Sequence, residues 1–428
     1  MSPITDHPLR YKLANELHAR PFPSMRAPCS AAYVAIKQPE DAVNRDRSLD
    51  LEHLTALLDR HGAPHPQPGA THYYGQIGRY WLKWEQHTEF VTYTAFGDGP
   101  VARPFDPREF DVFPADWLAD APGQRMTSVL VNVVPMSPGK TDEIEACLND
   151  WFVSESLAVS SVLDASAVIA GDFRIDPNGH LRFAVFAGGE TGSRRTGRIV
   201  QRLCEIETYK IMSMLGFARV RALQPQLNEL DTKLTGLMGA MSDDGASAET
   251  TLHDLLEISA DLETLAARSS FRFGATGAYE ALVDERITAL REVRFLGRQH
   301  FGEFMMRRYA PAMRTVQSAR ARLEAMSERS IRAANLLRTR VDVERSAQNQ
   351  TLLESMDRRS DLQLRLQRTV EGFSVVAISY YAVSLGGYLL YPVADAVGVS
   401  RGLLVAASVV PVVLLVWSMI RRLRRSIE

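Results

Sequence analysis

The chain is predicted to be an α+β membrane protein. It divides into an N-terminal cytoplasmic α/β sandwich domain (1–190), a helical domain (191–310), one very long stalk helix (311–371) and a C-terminal two-helix transmembrane hairpin. Three observations predict this. Residues 30–190 alternate strand and helix periodicity, the signature of strands covered by helices. From Pro311 to Glu371 no glycine and no further proline interrupts a helical pattern. Two segments, Gly372–Tyr391 and Gly402–Ile420, contain no charged residue.

The N-terminal elements follow in order. CSAAYVAIK (Cys29–Lys37) reads as a strand. The next segment, PEDAVNRDRSLDLEHLTALLDRHG, places Leu51, Leu54, Leu57 and Leu58 on one helical face. THYYGQIGRYWLKWEQHTEFVTYTAF mixes aromatic, β-branched and polar residues and predicts two or three antiparallel strands. TSVLVNVVPM reads as a buried strand, followed by a helix from Thr141 to Phe152. SAVIAGDFRIDPNGHLRFAVFAG predicts a hairpin turning at Asp176-Pro177-Asn178-Gly179.

From Arg194 onward no strand signal returns. RTGRIVQRLCEIETYKIMSMLGFARVRAL reads as a long helix, with further helices over 225–241, 249–269 and 275–309. The stalk would run about 90 Å at 1.5 Å per residue. Its apolar stripe (Leu323, Met326, Ala333, Leu337, Val341, Leu352, Met356) is broken at Gln348-Asn349-Gln350-Thr351. A weak oligomeric stalk is expected rather than a strict two-stranded coiled coil. A homo-oligomer is expected from a helix that cannot bury its stripe alone, and three or more subunits are expected where first spans enclose a pore.

The two uncharged segments, 372–391 and 402–420, each span roughly 30 Å, the thickness of a bilayer core. The outer loop (392–401) carries only Asp395 and Arg401, whereas Arg365 and Arg368 precede the first span and a basic tail (421–428) follows the second. That asymmetry predicts that both termini are cytoplasmic. The N-terminus lacks the apolar core of a signal peptide.

The first span is the more polar. Ser374, Tyr381, Ser384, Tyr388 and Tyr391 are spaced 7, 3, 4 and 3, so all five share one helical face. Two readings stand side by side. The face lines a pore built from several copies, with Glu371 at the inner mouth and Asp395 at the outer one. Alternatively it serves helix packing and interfacial anchoring.

Elsewhere the chemistry is sparse. Net charge is −2, so no nucleic-acid partner is expected. Cys29, Cys147 and Cys204 form no CxxC, as in a reduced compartment. No GxSxG, HExxH or P-loop occurs, and no enzyme activity, cofactor or metal is assigned. GGETGSRRTGR offers Arg194, Arg195 and Arg198 as an anion site at a helix N-terminus, beside the plainer reading of a turn and cap. His61, His65 and His72 read as a Pro-rich surface loop rather than a metal site, and NELHARPF as a docked N-terminal segment. Glu205, Glu207 and Tyr209, beside Arg202, read as salt bridges or a solvated helix face.

NELHARPF, GRIVQRLCEIETYKIMSM, MMRRYAPAMRTV and LLRTRVDVERSAQNQTLLESMDRRSDLQLRLQRTVEGFSVVAISYYAVSL together resemble the bacterial family called domain of unknown function 3422. The resemblance spans nearly the whole chain. It implies a membrane protein and supplies no catalytic residues. In plan alone the chain is similar to CorA-like divalent-metal transporters, pentamers whose first span lines the pore. The span here ends GGYLLYPV, without their Gly-Met-Asn signature. The expected function is an oligomeric cation channel or transporter, or a membrane-anchored scaffold or sensor tethered by the hairpin.

Overall fold

The structure is a computed structural model. It describes residues 4–11, 13, 22–39, 45–137, 139–241, 247–398 and 400–427, with backbone alone at 391–397, 401 and 423–427. The chain divides into two units: Met1–Ala240 with Asp254–Arg332, and Met241–His253 with Ala333–Glu428.

β1 (Cys29–Lys37) is buried at every residue. A strand buried on both faces needs a cover on each, and the first unit supplies both. β1 lies inside a nine-stranded mixed sheet with β2 (His72–Ile77), β3 (Tyr80–Gln86), β4 (Phe90–Asp98), β5 (Gln124–Met136), β6 (Ala158–Val162), β7 (Ala167–Gly171), β8 (Leu181–Gly188) and β9 (Val293–Arg294). The spatial order is β2-β3-β4-β1-β5-β8-β7-β6-β9. Only β5 and β8 pair in parallel; every other pairing is antiparallel.

One face of the sheet carries α1 (Ser48–Arg60), α2 (Ala115–Ala119) and α3 (Thr141–Trp151). Leu54, Leu57 and Leu58 pack with Val34, Leu82, Trp84 and Trp117, and Ile144 and Leu148 pack with Val168, Ala184 and Phe186. On the opposite face lie α4 (Ser193–Ala240), α5 (Ala248–Leu290), α6 (Phe301–Arg308) and the start of α7 (Ala310–Val397). There Tyr33, Val131 and Phe183 meet Ile199, Leu203, Val283, Phe301 and Met313. The α+β class holds, with one sheet between two helical layers.

Three segments differ from the sequence reading. The helices expected over 195–223 and 225–241 are one helix, α4, which continues through Pro225. α5 runs through Gly274 and Gly277 but stops at Leu290, short of the expected 309. Arg291 and Leu296 take left-handed backbone conformations, and Val293–Arg294 pairs with Ser160 and Ser161 as β9. A strand therefore does return after Arg194; two residues are too short to leave a periodic signal. Finally, α7 passes Tyr391 and Pro392 and ends at Val397, so the expected ten-residue connection to α8 (Arg401–Ile427) is shorter.

In the second unit, Arg345 pairs with Glu249 at 2.5 Å and Arg340 donates to the Met241 carbonyl at 3.4 Å. Among the described residues two helical segments are long and apolar enough to cross a membrane. They lie within Ala310–Leu390 of α7 and Gly402–Arg422 of α8.

Candidate functional site

The helical face of the sheet does not close completely. A cavity of about 550 Å³ opens over β3, β4 and β1, beneath α4 and α5. Register explains its floor. Lys83 pairs with Thr94, and Thr94 with Tyr33; Glu85 pairs with Thr92. Cross-strand partners project to the same side of a sheet, so hydroxyl, ammonium and carboxylate groups converge there. Leu82 and Trp84 alternate to the opposite side, where they join the apolar cluster under α1. α4 adds Gln201, Arg202, Glu205, Thr208 and Tyr209 at helical spacing, and α5 adds Glu285 and Arg286.

These groups are tied together. The Lys83 ammonium, 4% exposed, donates to Gln201 Oε1 at 2.9 Å and lies 3.1 Å from Glu85. Gln201 Nε2 donates to Glu205 Oε1 at 2.6 Å. Arg286 donates to Glu205, and to Glu285 Oε1 at 2.9 Å. Thr208 donates to the Cys204 carbonyl at 2.9 Å, so the Tyr33 hydroxyl, 2.6 Å away, donates to Thr208. Arg202 differs: its Nη1 donates to the Ala289 carbonyl at 2.9 Å, and no carboxylate pairs with it among the described residues. Burial, then the charge of Arg198, Arg286 and Arg291, depresses its pKa, opposed by Glu205. Its guanidinium remains charged at neutral pH.

Burial pushes the Cys204 thiol far up, with Glu205 and Glu207 adding to it, and burial likewise raises Tyr33. Both stay protonated at neutral pH, so neither supplies a nucleophile. The arrangement suits binding: fixed charges and hydroxyls beside the rings of Phe22, Phe90, Phe96 and Tyr209.

The residues singled out in the sequence fall elsewhere for the most part. Arg194 and Arg198 are exposed and Arg195 half-buried in the first turns of α4. Arg198 precedes Arg202 by one turn and acts on it electrostatically, so one of the three approaches the cavity. Of NELHARPF, residues 15–21, including His18 and Arg20, lie outside the described residues, and Phe22 lines the cavity. His61, His65 and His72 lie in and beside the α1–β2 loop, and His65 contacts Asp59 at 2.6 Å. Among the described residues no three His, Cys, Asp or Glu side chains converge as metal ligands.

In the first apolar segment, the Ser374 hydroxyl donates to its own helix at Val370 O, 2.9 Å, and Glu371 accepts from Gln367 at 3.1 Å. Tyr381 and Tyr388 are each 66% exposed, and Ser384 is exposed. The side chains of Tyr391 and Asp395 lie outside the described residues. Ser379 of α7 is buried, and a Cβ at Gly387 would lie 3.3 Å from Val405 of α8. At 100° per residue, Ser379 faces away from Tyr381, Ser384 and Tyr388, whereas Gly387 lies about 60° from Ser384, at the edge of that face.

The cavity residues escaped the sequence reading. Arg202, Glu205 and Tyr209 read there as an ordinary helix face. One local signal existed: in YWLKWEQ the charges of Lys83 and Glu85 recur every second residue, which marks a polar sheet face. No curated protein and no solved structure matches the chain. The resemblance carried by the sequence motifs is family membership: the chain belongs to the family described as Protein of unknown function (DUF3422), whose model matches residues 5–427.

Proposed function

We propose that the protein is a membrane-tethered binding protein, in which the α+β unit holds a small ligand and the apolar segments of α7 and α8 anchor it as a two-span hairpin. The observation that carries this reading is the cavity of about 550 Å³, within the size range of small-molecule sites and lined by charged groups, the buried Lys83 among them, beside aromatic rings. Arg365 and Arg368 before the first span, and Arg421, Arg422, Arg424 and Arg425 after the second, support cytoplasmic termini in a bacterial inner membrane. Full-length protein in detergent, screened by thermal shift against a library of metabolites, tests the reading. Ligands should stabilise wild type and not a cavity-filling Thr94→Trp variant. A library that shifts neither, or both equally, overturns it.

A second reading, an oligomeric cation pore of CorA-like plan, is favoured by one observation. The hydroxyl face of Tyr381, Ser384 and Tyr388 is exposed and turned away from the buried Ser379. Three or more copies meeting on that face would enclose it, with Glu371 and Asp395 as mouth rings. Cation flux into liposomes that Ser384→Leu abolishes would support the pore. Absence of flux from the wild-type protein would leave the tether.

A further inference from the structure

We infer that the ligand of this cavity is a small organic anion, a carboxylate or phosphate monoester, held at Arg202; the inference rests on reading the cavity as a binding site.

The charges lining the cavity decide the sign. Lys83 faces Glu85, and Arg286 faces Glu205 and Glu285. Those cations are compensated within the protein. Arg202 carries five N–H donors, and among the described residues its partner is one carbonyl oxygen. One turn earlier on α4, Arg198 is exposed and has no ion-pair partner among the described residues. The lining as a whole is balanced, Lys83, Arg202 and Arg286 against Glu85, Glu205 and Glu285, but around Arg202 itself the charges of Arg198, Arg286 and Arg291 outnumber that of Glu205, so positive charge is in excess at that end.

Three kinds of occupant can be compared. A cation would stand against Arg202, Arg198 and Arg286 at short range, where repulsion is weakly screened. A neutral ligand would leave the guanidinium half-buried and short of acceptors, and such groups cost free energy. An oxyanion supplies acceptors that match the planar fork of Arg202 in a bidentate pair. The rest of the ligand would lie among Phe90, Phe96 and Tyr209, with the Thr92 and Thr94 hydroxyls on the sheet side. Burial, and after it the like charge of Arg198, Arg286 and Arg291, depresses the Arg202 pKa, and the same occupant offsets that like charge.

The test uses full-length protein in detergent and three probes of one shape: benzoate, benzamide and benzamidine. Isothermal titration measures each against wild type, Arg202→Gln and Arg198→Gln. Benzoate should bind at least tenfold more tightly than benzamide or benzamidine. Arg202→Gln should weaken benzoate at least tenfold and leave benzamide unchanged. Arg198→Gln changes an exposed side chain, so folding is not at issue, and should weaken benzoate severalfold. Benzamide or benzamidine binding as tightly as benzoate, or benzoate indifferent to both arginines, overturns the anion. Thr94→Trp, or Thr92→Trp where the first fails to fold, separates the two claims. Loss of whichever probe binds upholds the cavity while the charge preference is judged independently. Binding of none of the three probes sinks the cavity reading and the anion with it.

Discussion

Glu89, immediately before β4, is 1% exposed and lies among partners. Arg272 pairs with it and Tyr279 donates to it at 3.0 Å. A buried pair contributes little net stability, yet removing one member leaves the other charge uncompensated. Glu89→Ala should therefore cost about 3 kcal/mol in urea unfolding, by the usual penalty for breaking such pairs. A cost near zero would mean that Arg272 finds water or another acceptor. A second residue-scale expectation concerns pH. His53 is held neutral between Tyr93 Oη and the Trp117 carbonyl, each at 2.9 Å. Burial lowers its pKa below 6.5, against the pull of the Trp117 carbonyl, Asp50 and Asp120; burial also lowers His180, with Asp176 opposing and Arg125 assisting. The unfolded chain takes up protons near pH 6.5 while these folded histidines do not. Stability is thus fully present above that pH and falls below it, by at most about 1.4 kcal/mol per pH unit for each histidine. The unfolding midpoint should drop between pH 7 and 5.5, and less in a His53→Gln variant. None of this was legible in the sequence, where Glu89 and His53 look like any surface-prone residue and their partners lie 40 to 190 positions away.

Glycine shows how the elements pack. Gly216 of α4 lies against α5: an added Cβ would meet Thr276 Oγ1 at 2.1 Å and its Cβ at 2.9 Å. Gly274 of α5 has nothing within 4 Å of that position. Alanine in a helix gains up to about 1 kcal/mol over glycine. At Gly274 that gain stands alone, so Gly274→Ala should stabilise by roughly that amount. At Gly216 overpacking costs typically about 1–3 kcal/mol and outweighs it, so Gly216→Ala should destabilise. Thermal unfolding of the two variants checks the opposite signs, and equal signs would mean that α4 and α5 do not approach closely. The elements themselves were largely legible. β1 and α1 were marked by periodicity, and the 310–397 helix by the lack of breakers through its stalk. The errors have physical causes. Pro392 sits inside α7 despite one lost backbone hydrogen bond, and at Pro225 the buried Leu223, Leu227 and Leu230 on either side hold α4 helical. β9 exists only because β6 offers it an edge.

At the scale of the whole chain, the cavity draws on β1, β3, β4, α4 and α5, so the alternating charges of Lys83 and Glu85 marked one polar strand face but no local spacing could have assembled the rest. The two units, by contrast, invite separation. Every residue of the three apolar clusters that cover the sheet has a number of 313 or below and lies in the first unit. The second unit holds both apolar segments and exposes Leu352, Leu362, Leu366, Phe373, Val376, Leu403 and Leu415. An apolar surface of that extent needs lipid or another copy to cover it. A chain ending at Arg332 should therefore be soluble without detergent and keep the core intact. Its unfolding midpoint should lie within about 4 °C of the matching transition in the full chain, the shift that one or two kcal/mol makes in a domain of this size. The full chain should require detergent. Aggregation of the shortened chain, or loss of its cooperative transition, would show that the sheet unit depends on the helices beyond residue 332. A full chain soluble without detergent would remove the membrane from the proposal while leaving the cavity to be tested.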